Sequence, residues 1–170
     1  MKKCNNLLAF IIIGGLGTLF HFVYEWTNKN YIAGFFFPVN ESTAEHLKLI
    51  FYPTIIYSVY EYIRLENKPK NYISAISASI FTGKLTILTL FYLYSGILGF
   101  NVDFLNISIF FIAVIVSLFV KNLIIKSEKL DSKNALVLSA LYLIVSAFLF
   151  GIWTYNPPSL GVFTPPVIGQ

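Results

Sequence analysis

The sequence predicts an all-α, polytopic membrane protein: a bundle of five transmembrane helices, with the N-terminus in the cytoplasm and the C-terminus outside. Three observations lead there. Hydrophobic residues make up 56% of the 170 and charged residues only 12%, whereas a soluble domain carries roughly 25% charge to keep its surface wetted. Five apolar stretches are long enough to cross a bilayer. The Lys and Arg residues between them fall overwhelmingly on one side. So little polar surface cannot cover a water-soluble core, so the first partner of this chain is the lipid bilayer.

The five stretches are Leu7–Trp26, His46–Ile63, Tyr72–Ser95, Phe104–Val120 and Ala135–Tyr155, each close to the ~20 residues that span a hydrocarbon core of roughly 30 Å. Lipid offers no partner to backbone N–H and C=O groups, which dictates helices. The first stretch follows Lys2-Lys3 as a signal peptide would, but no small-x-small cleavage site follows and the run continues into His21 and Glu25, so it reads as a retained span. Cys4 comes too early for a lipoprotein signal, and as the single cysteine it allows no internal disulfide. Pro53 is expected to kink the second span by freeing the carbonyl of Leu49. Asn67-Lys68-Pro69, Gly99 to Asp103 and Ser127 to Asn134 supply the breaks between later spans. The fourth span is short, with Lys121 expected to snorkel from its end. After the fifth, residues 156–170 form a Pro-rich tail outside the membrane, expected to be extended and loose.

Orientation follows from the short loops. One side receives nine basic residues, Lys2, Lys3, Arg64, Lys68, Lys70, Lys121, Lys126, Lys129 and Lys133, and the other only Lys29 and Lys48. The basic side is cytoplasmic, which makes this a multi-pass protein of the cell membrane. Trp26 and Trp153 then both fall at the outer interface, where amphipathic rings concentrate. No internal repeat, phosphate-binding Gly loop, zinc-finger spacing or basic stripe for nucleic acid is present.

Ionisable groups inside a membrane cost at least ~2.5–3.5 kcal/mol, which makes them informative. His21-Phe22-Val23-Tyr24-Glu25-Trp26 ends the first span, with His21 and Glu25 on one helix face at i,i+4. Asn40-Glu41-Ser42-Thr43-Ala44-Glu45-His46-Leu47-Lys48 begins the second. Both histidines of the chain and three glutamates thus converge at one depth. Imidazole and carboxylate together suit a divalent metal such as Zn, Mn or Fe. His21, Glu25, Glu41 and His46 are therefore the candidate metal ligands, and Tyr24, Asn40 and Ser42 candidate binding residues. Glu45 is a candidate general base, adjacent to His46 but pointing about 100° away on a regular helix. Lys84, ~18 Å into the third span, is the second candidate catalytic residue, expected to meet Glu25 or Glu45. Glu61 is expected to pair with Arg64 at i+3.

Structural alternatives accompany each reading. Ser42-x-x-Glu45 is a capping box, Asn40 and Glu41 suit a turn after Pro38, and His21 suits a hydrogen-bonded core position. Ser74, Ala78 and Thr82, together with Ala75, Ser79 and Gly83, are spaced for close helix packing, and Gly14, Gly17 and Thr18 give the first span a similar face. These surfaces are expected to join the first and third spans beside His21.

The motifs His21-Phe22-x-Tyr24-Glu25-Trp26 and Phe37-Pro38-Val39-Asn40-Glu41-Ser42-x-x-Glu45-His46-x-Lys48, with the Pro-Pro and Phe-x-Pro elements of the tail, resemble the signature of a family of small prokaryotic membrane proteins of unknown function. Ala44, where that pattern carries an aromatic, and Thr164, where it carries an acid, depart from it. The resemblance implies the fold and the location of the site, and no activity. Three functions fit the residues: metal-dependent or acid/base chemistry on a lipid-borne or small extracytoplasmic substrate, a proton or ion relay through His21, Glu25 and Lys84, or a non-catalytic subunit whose polar cluster binds helices together.

Overall fold

The computed structural model describes residues 5–166; Lys2, Lys3, Cys4 and the last four residues of the tail lie outside the described residues. The described chain is helical, without strands: α1 (Asn6–Trp26), α2 (Tyr31–Gly34), α3 (Thr43–His46), α4 (Lys48–Arg64), α5 (Tyr72–Leu98), α6 (Asp103–Ser127), α7 (Lys133–Tyr155) and a final 3-10 turn, Gly161–Phe163. Four of these, α1, α5, α6 and α7, are long and apolar enough to cross a membrane.

α4 is shorter, and several of its polar side chains face inward. Its 17 residues include buried Lys48, Thr54, Ser58 and Glu61 beside Ile50 and Phe51, which have no exposed surface. Leu47 joins α3 to α4 in helical conformation, and its carbonyl accepts from Phe51 N–H. Together α3 and α4 make a rod of ~30 Å at 1.5 Å per residue, packed against α1, α5 and α6.

Several sequence-based expectations change here. α6 runs to Ser127 rather than stopping at residue 120, because Lys121 is 1% exposed and its ammonium lies 2.9 Å from both oxygens of Glu61. With its charge matched inside the bundle it has no need to snorkel. Glu61 is accordingly not paired with Arg64, whose guanidinium stacks over Tyr60 at 5.0 Å. The Glu61 carboxylate also accepts from Tyr72 Oη at 2.8 Å.

The two small-residue faces do not meet each other. Those of α1 receive rings of α6: Phe111 lies over Gly14, and Phe110 over Gly17, beside the Leu49 carbonyl of α4. Pro53 provides no N–H for that carbonyl, and the absence of a side chain at Gly17 lets α1 approach it, since a Cβ there would stand 2.8 Å from the oxygen. The face of α5 packs instead on α6, where Ser79 and Ser117 hydroxyls lie 2.7 Å apart, and on Ile50 of α4 at Gly83. Bulky aromatic knobs on α6 fill the glycine dents, so α6 and α4 separate α1 from most of α5.

Caps close the helices where turn residues stand. Ser132 caps α7 through Ala135 N–H, and Gly99 ends α5 at φ 77°, a left-handed conformation that costs glycine little. The described part of the tail, up to residue 166, is packed rather than loose: its 3-10 turn contacts α3, and Phe163 packs edge-on against Trp153 at 5.3 Å. Contact between those half-buried rings holds a segment whose prolines already limit its freedom.

Candidate metal centre

α1 and the segment entering α3 bring three of the predicted ligands together. The ligand atoms of His21, Glu41 and His46 all lie within 4.8 Å of one another. Glu41 stands between the imidazoles, with His21 Nε2 at 3.7 Å from Oε1 and His46 Nε2 at 3.3 Å from Oε2. The two imidazoles stack at 5.3 Å between centroids.

The local sequence explains how this geometry is held. Asn40 Oδ1 accepts from Ser42 N–H at 2.8 Å, closing a turn after Pro38. Ser42 Oγ caps α3 by accepting from Glu45 N–H. His46 Nδ1 lies 2.9 Å from the Ser42 carbonyl. A carbonyl only accepts, so Nδ1 carries a proton and donates it to Ser42, which fixes the ring with Nε2 facing Glu41. This is the arrangement that orients metal-ligating histidines. The hydrogen bond from His46 holds the Glu41 carboxyl below its ordinary range, against the opposing effect of burial. Glu41 remains 63% exposed in its side chain, so the centre opens to solvent.

Glu25 is not part of the centre. It lies one turn beyond His21 and pairs with Lys29 at 3.5 Å, both largely exposed. The chain turns there through Asn28 and Lys29 with positive φ, which brings Lys29 back beside Glu25. Tyr24 contributes its backbone carbonyl to Thr27. Asn40 and Ser42 support the loop that carries Glu41 and are occupied in doing so.

Glu45 turns inward. One oxygen accepts from Val39 N–H at 2.9 Å and from Lys48 Nζ at 2.7 Å, and the other lies 3.0 Å from the Thr154 hydroxyl of α7. Only half of the expected capping box therefore forms, since the carboxylate goes to Val39 rather than Ser42. Lys48, with no exposed surface, also donates to the Gly34 and Phe37 carbonyls and to Thr154 Oγ1. This network ties the segment between α2 and α3 to α4 and α7. The i,i+3 spacing of Glu45 and Lys48 was a usable signal for it. Thr154 offered none, because it meets Lys48 from 106 residues away.

Lys84 meets neither Glu25 nor Glu45. Its ammonium sits in a box of Phe51, Tyr142 and Phe150, 4.7–5.4 Å from the ring centroids, and donates to Ser146 Oγ at 3.2 Å. Glu45 is taken by Lys48 above this box, and the Phe51–Phe150 ring pair closes it. Ring faces and a hydroxyl replace the expected carboxylate.

No curated protein and no solved structure matches the sequence. Residues 2–170 match the family of unknown function DUF6512, and the chain belongs to that family.

Proposed function

We propose that the protein spans the membrane five times, α4 being the fifth span, with the N-terminus inside, and that its outer end carries a divalent-metal centre formed by His21, Glu41 and His46. The observation that carries the proposal is the convergence of two imidazoles and one carboxylate, from a helix, a loop and a second helix, within 4.8 Å. Two histidines and a carboxylate suit Zn, Mn or Fe and leave coordination positions for water or substrate. The orientation of His46 by the Ser42 carbonyl supports the same reading.

A metal in an open site polarises a carbonyl or phosphoryl oxygen and generates hydroxide near neutral pH. The function best supported is metal-dependent chemistry on a lipid-borne or small extracytoplasmic substrate. Glu45 and Lys48 act as positioning residues that fix the loop bearing Glu41. The relay reading lacks its connection, because Lys84 lies in an aromatic box away from His21 and Glu25.

Protein purified without chelator is expected to carry one metal per chain, measured by elemental analysis, and to lose it in His21→Ala, His46→Ala and Glu41→Gln. Lys84→Met retains it. A wild-type protein that takes up no Zn, Mn or Fe, yet unfolds at the same temperature with and without chelator, would overturn the proposal in favour of a structural cluster.

A further inference from the structure

The outer half of α1 borders a groove of about 470 Å³ with almost no polar lining. Gly14, Gly15 and Thr18 form its floor, and Phe22, Trp26 and, from α6, Phe111 its walls. Phe22 and Trp26 stack at 5.9 Å, and space beside Gly15 is open to at least 4 Å. Gly14, Thr18 and His21 follow at i, i+4 and i+7, so the edge of the groove leads along one helix face to the metal centre. The His21 ring itself packs edge-on against Phe22 at 5.1 Å. From His21 down to Gly14 the slot descends ~10 Å into the membrane.

We infer that this groove seats an acyl chain of a phosphate-bearing lipid whose headgroup reaches the centre formed by His21, Glu41 and His46. The inference rests on the metal reading above and names its substrate class. An apolar slot inside a spanning helix matches a hydrocarbon chain. A divalent cation at the slot's upper edge, with one carboxylate and two neutral imidazoles, leaves a net positive site that complements a phosphate. A second copy of the chain fits less well. Close helix approach needs small residues along the whole stripe, and Leu19, Phe22 and Trp26 stand in line above Gly15, each at least 46% exposed.

The test uses the full-length protein in detergent with two probes, a phosphatidic acid and a diacylglycerol carrying the same photoactivatable acyl chain. The phosphatidic acid should label α1 between residues 14 and 26, or α6 near Phe111, about tenfold more than the diacylglycerol. Gly15→Leu, which fills the slot where the chain has room, should cut that labelling about tenfold while metal content and unfolding temperature stay unchanged. His21→Ala or chelator should lower the phosphatidic acid signal to the diacylglycerol level. Equal labelling by both probes, insensitive to chelator, overturns the headgroup contact. Labelling unaltered by Gly15→Leu, or replacement of lipid labelling by chain-to-chain crosslinks at α1, overturns the slot. Absence of metal in the wild type is read separately by elemental analysis and overturns the metal reading, and the headgroup contact with it.

Discussion

Lys121 and Glu61 face each other from α6 and α4 with both carboxylate oxygens 2.9 Å from the ammonium, and at 1% and 5% exposure neither charge reaches solvent. Removing one partner of such a pair strands the other. Lys121→Met is expected to cost about 3–5 kcal/mol. The double variant Lys121→Met/Glu61→Gln should recover part of that loss. Thermal unfolding in detergent measures both, and a single variant as stable as wild type would show that the pair contributes nothing.

Lys84 provides the contrast. Its ammonium contacts ring faces and a hydroxyl, so Lys84→Met leaves no carboxylate behind. The loss should stay near the ~2 kcal/mol of a desolvated cation–π contact, below that of Lys121→Met. Equal losses in the two variants would point to an acid paired with Lys84.

Lys48 organises the outer network. Lys48→Met is expected to destabilise by about 3–5 kcal/mol, since Glu45 would remain buried without its cation. It should also weaken metal retention, because Val39 and the loop bearing Glu41 are anchored through Glu45. Ser42→Ala removes only the α3 cap and keeps the backbone carbonyl that orients His46. It should cost about 0.5–2 kcal/mol with metal content intact. Loss of metal in Ser42→Ala and its retention in Lys48→Met would reverse this assignment.

Gly17 and Gly15 separate packing from open space on one helix. A Cβ at Gly17 would stand 2.4 Å from the Phe110 ring and 2.8 Å from the Leu49 carbonyl, whereas one at Gly15 meets nothing within 4 Å. Gly17→Ala is expected to cost about 1–3 kcal/mol through overpacking. Gly15→Ala should be neutral or slightly stabilising, as alanine is favoured over glycine in a helix by ~1 kcal/mol. Unfolding temperatures that rank the two variants the other way would refute the packing of α1 on α4.

Orientation is tested with single cysteines in a Cys4→Ser background. Asn30→Cys, Asn101→Cys and Leu160→Cys should react with an impermeant thiol reagent on intact cells, and Lys68→Cys and Lys129→Cys only after permeabilisation. Labelling of position 68 from outside would invert the charge-bias argument.

The all-helical character of the chain and four helices long and apolar enough to cross a membrane were legible because hydrophobic runs and backbone hydrogen bonding leave one solution. The proximity of His21, Glu41 and His46 was legible too, since span ends place residues at a common depth. Depth says nothing about azimuth. Lys84, expected at the depth of the cluster, points into Phe51, Tyr142 and Phe150, and Glu25 pairs with Lys29 of the turn that follows α1. Long-range pairs such as Glu61 with Lys121 were invisible for the same reason. The local partner, Arg64, satisfied the i+3 rule and concealed the real one.

The Glu61–Lys121 pair also bears on how the protein is made. The partners are 60 residues apart in the chain, which at 5–20 residues per second separates their synthesis by about 3–12 s. With α4 read as the fifth span, as proposed, it carries during that interval a carboxylate for which lipid has no counter-charge. A helix in that condition gains little by leaving the insertion machinery alone. Partitioning of α4 into the bilayer should therefore wait for α6, and a ribosome halted between the two helices should leave α4 extractable by alkali while α1 is already integrated.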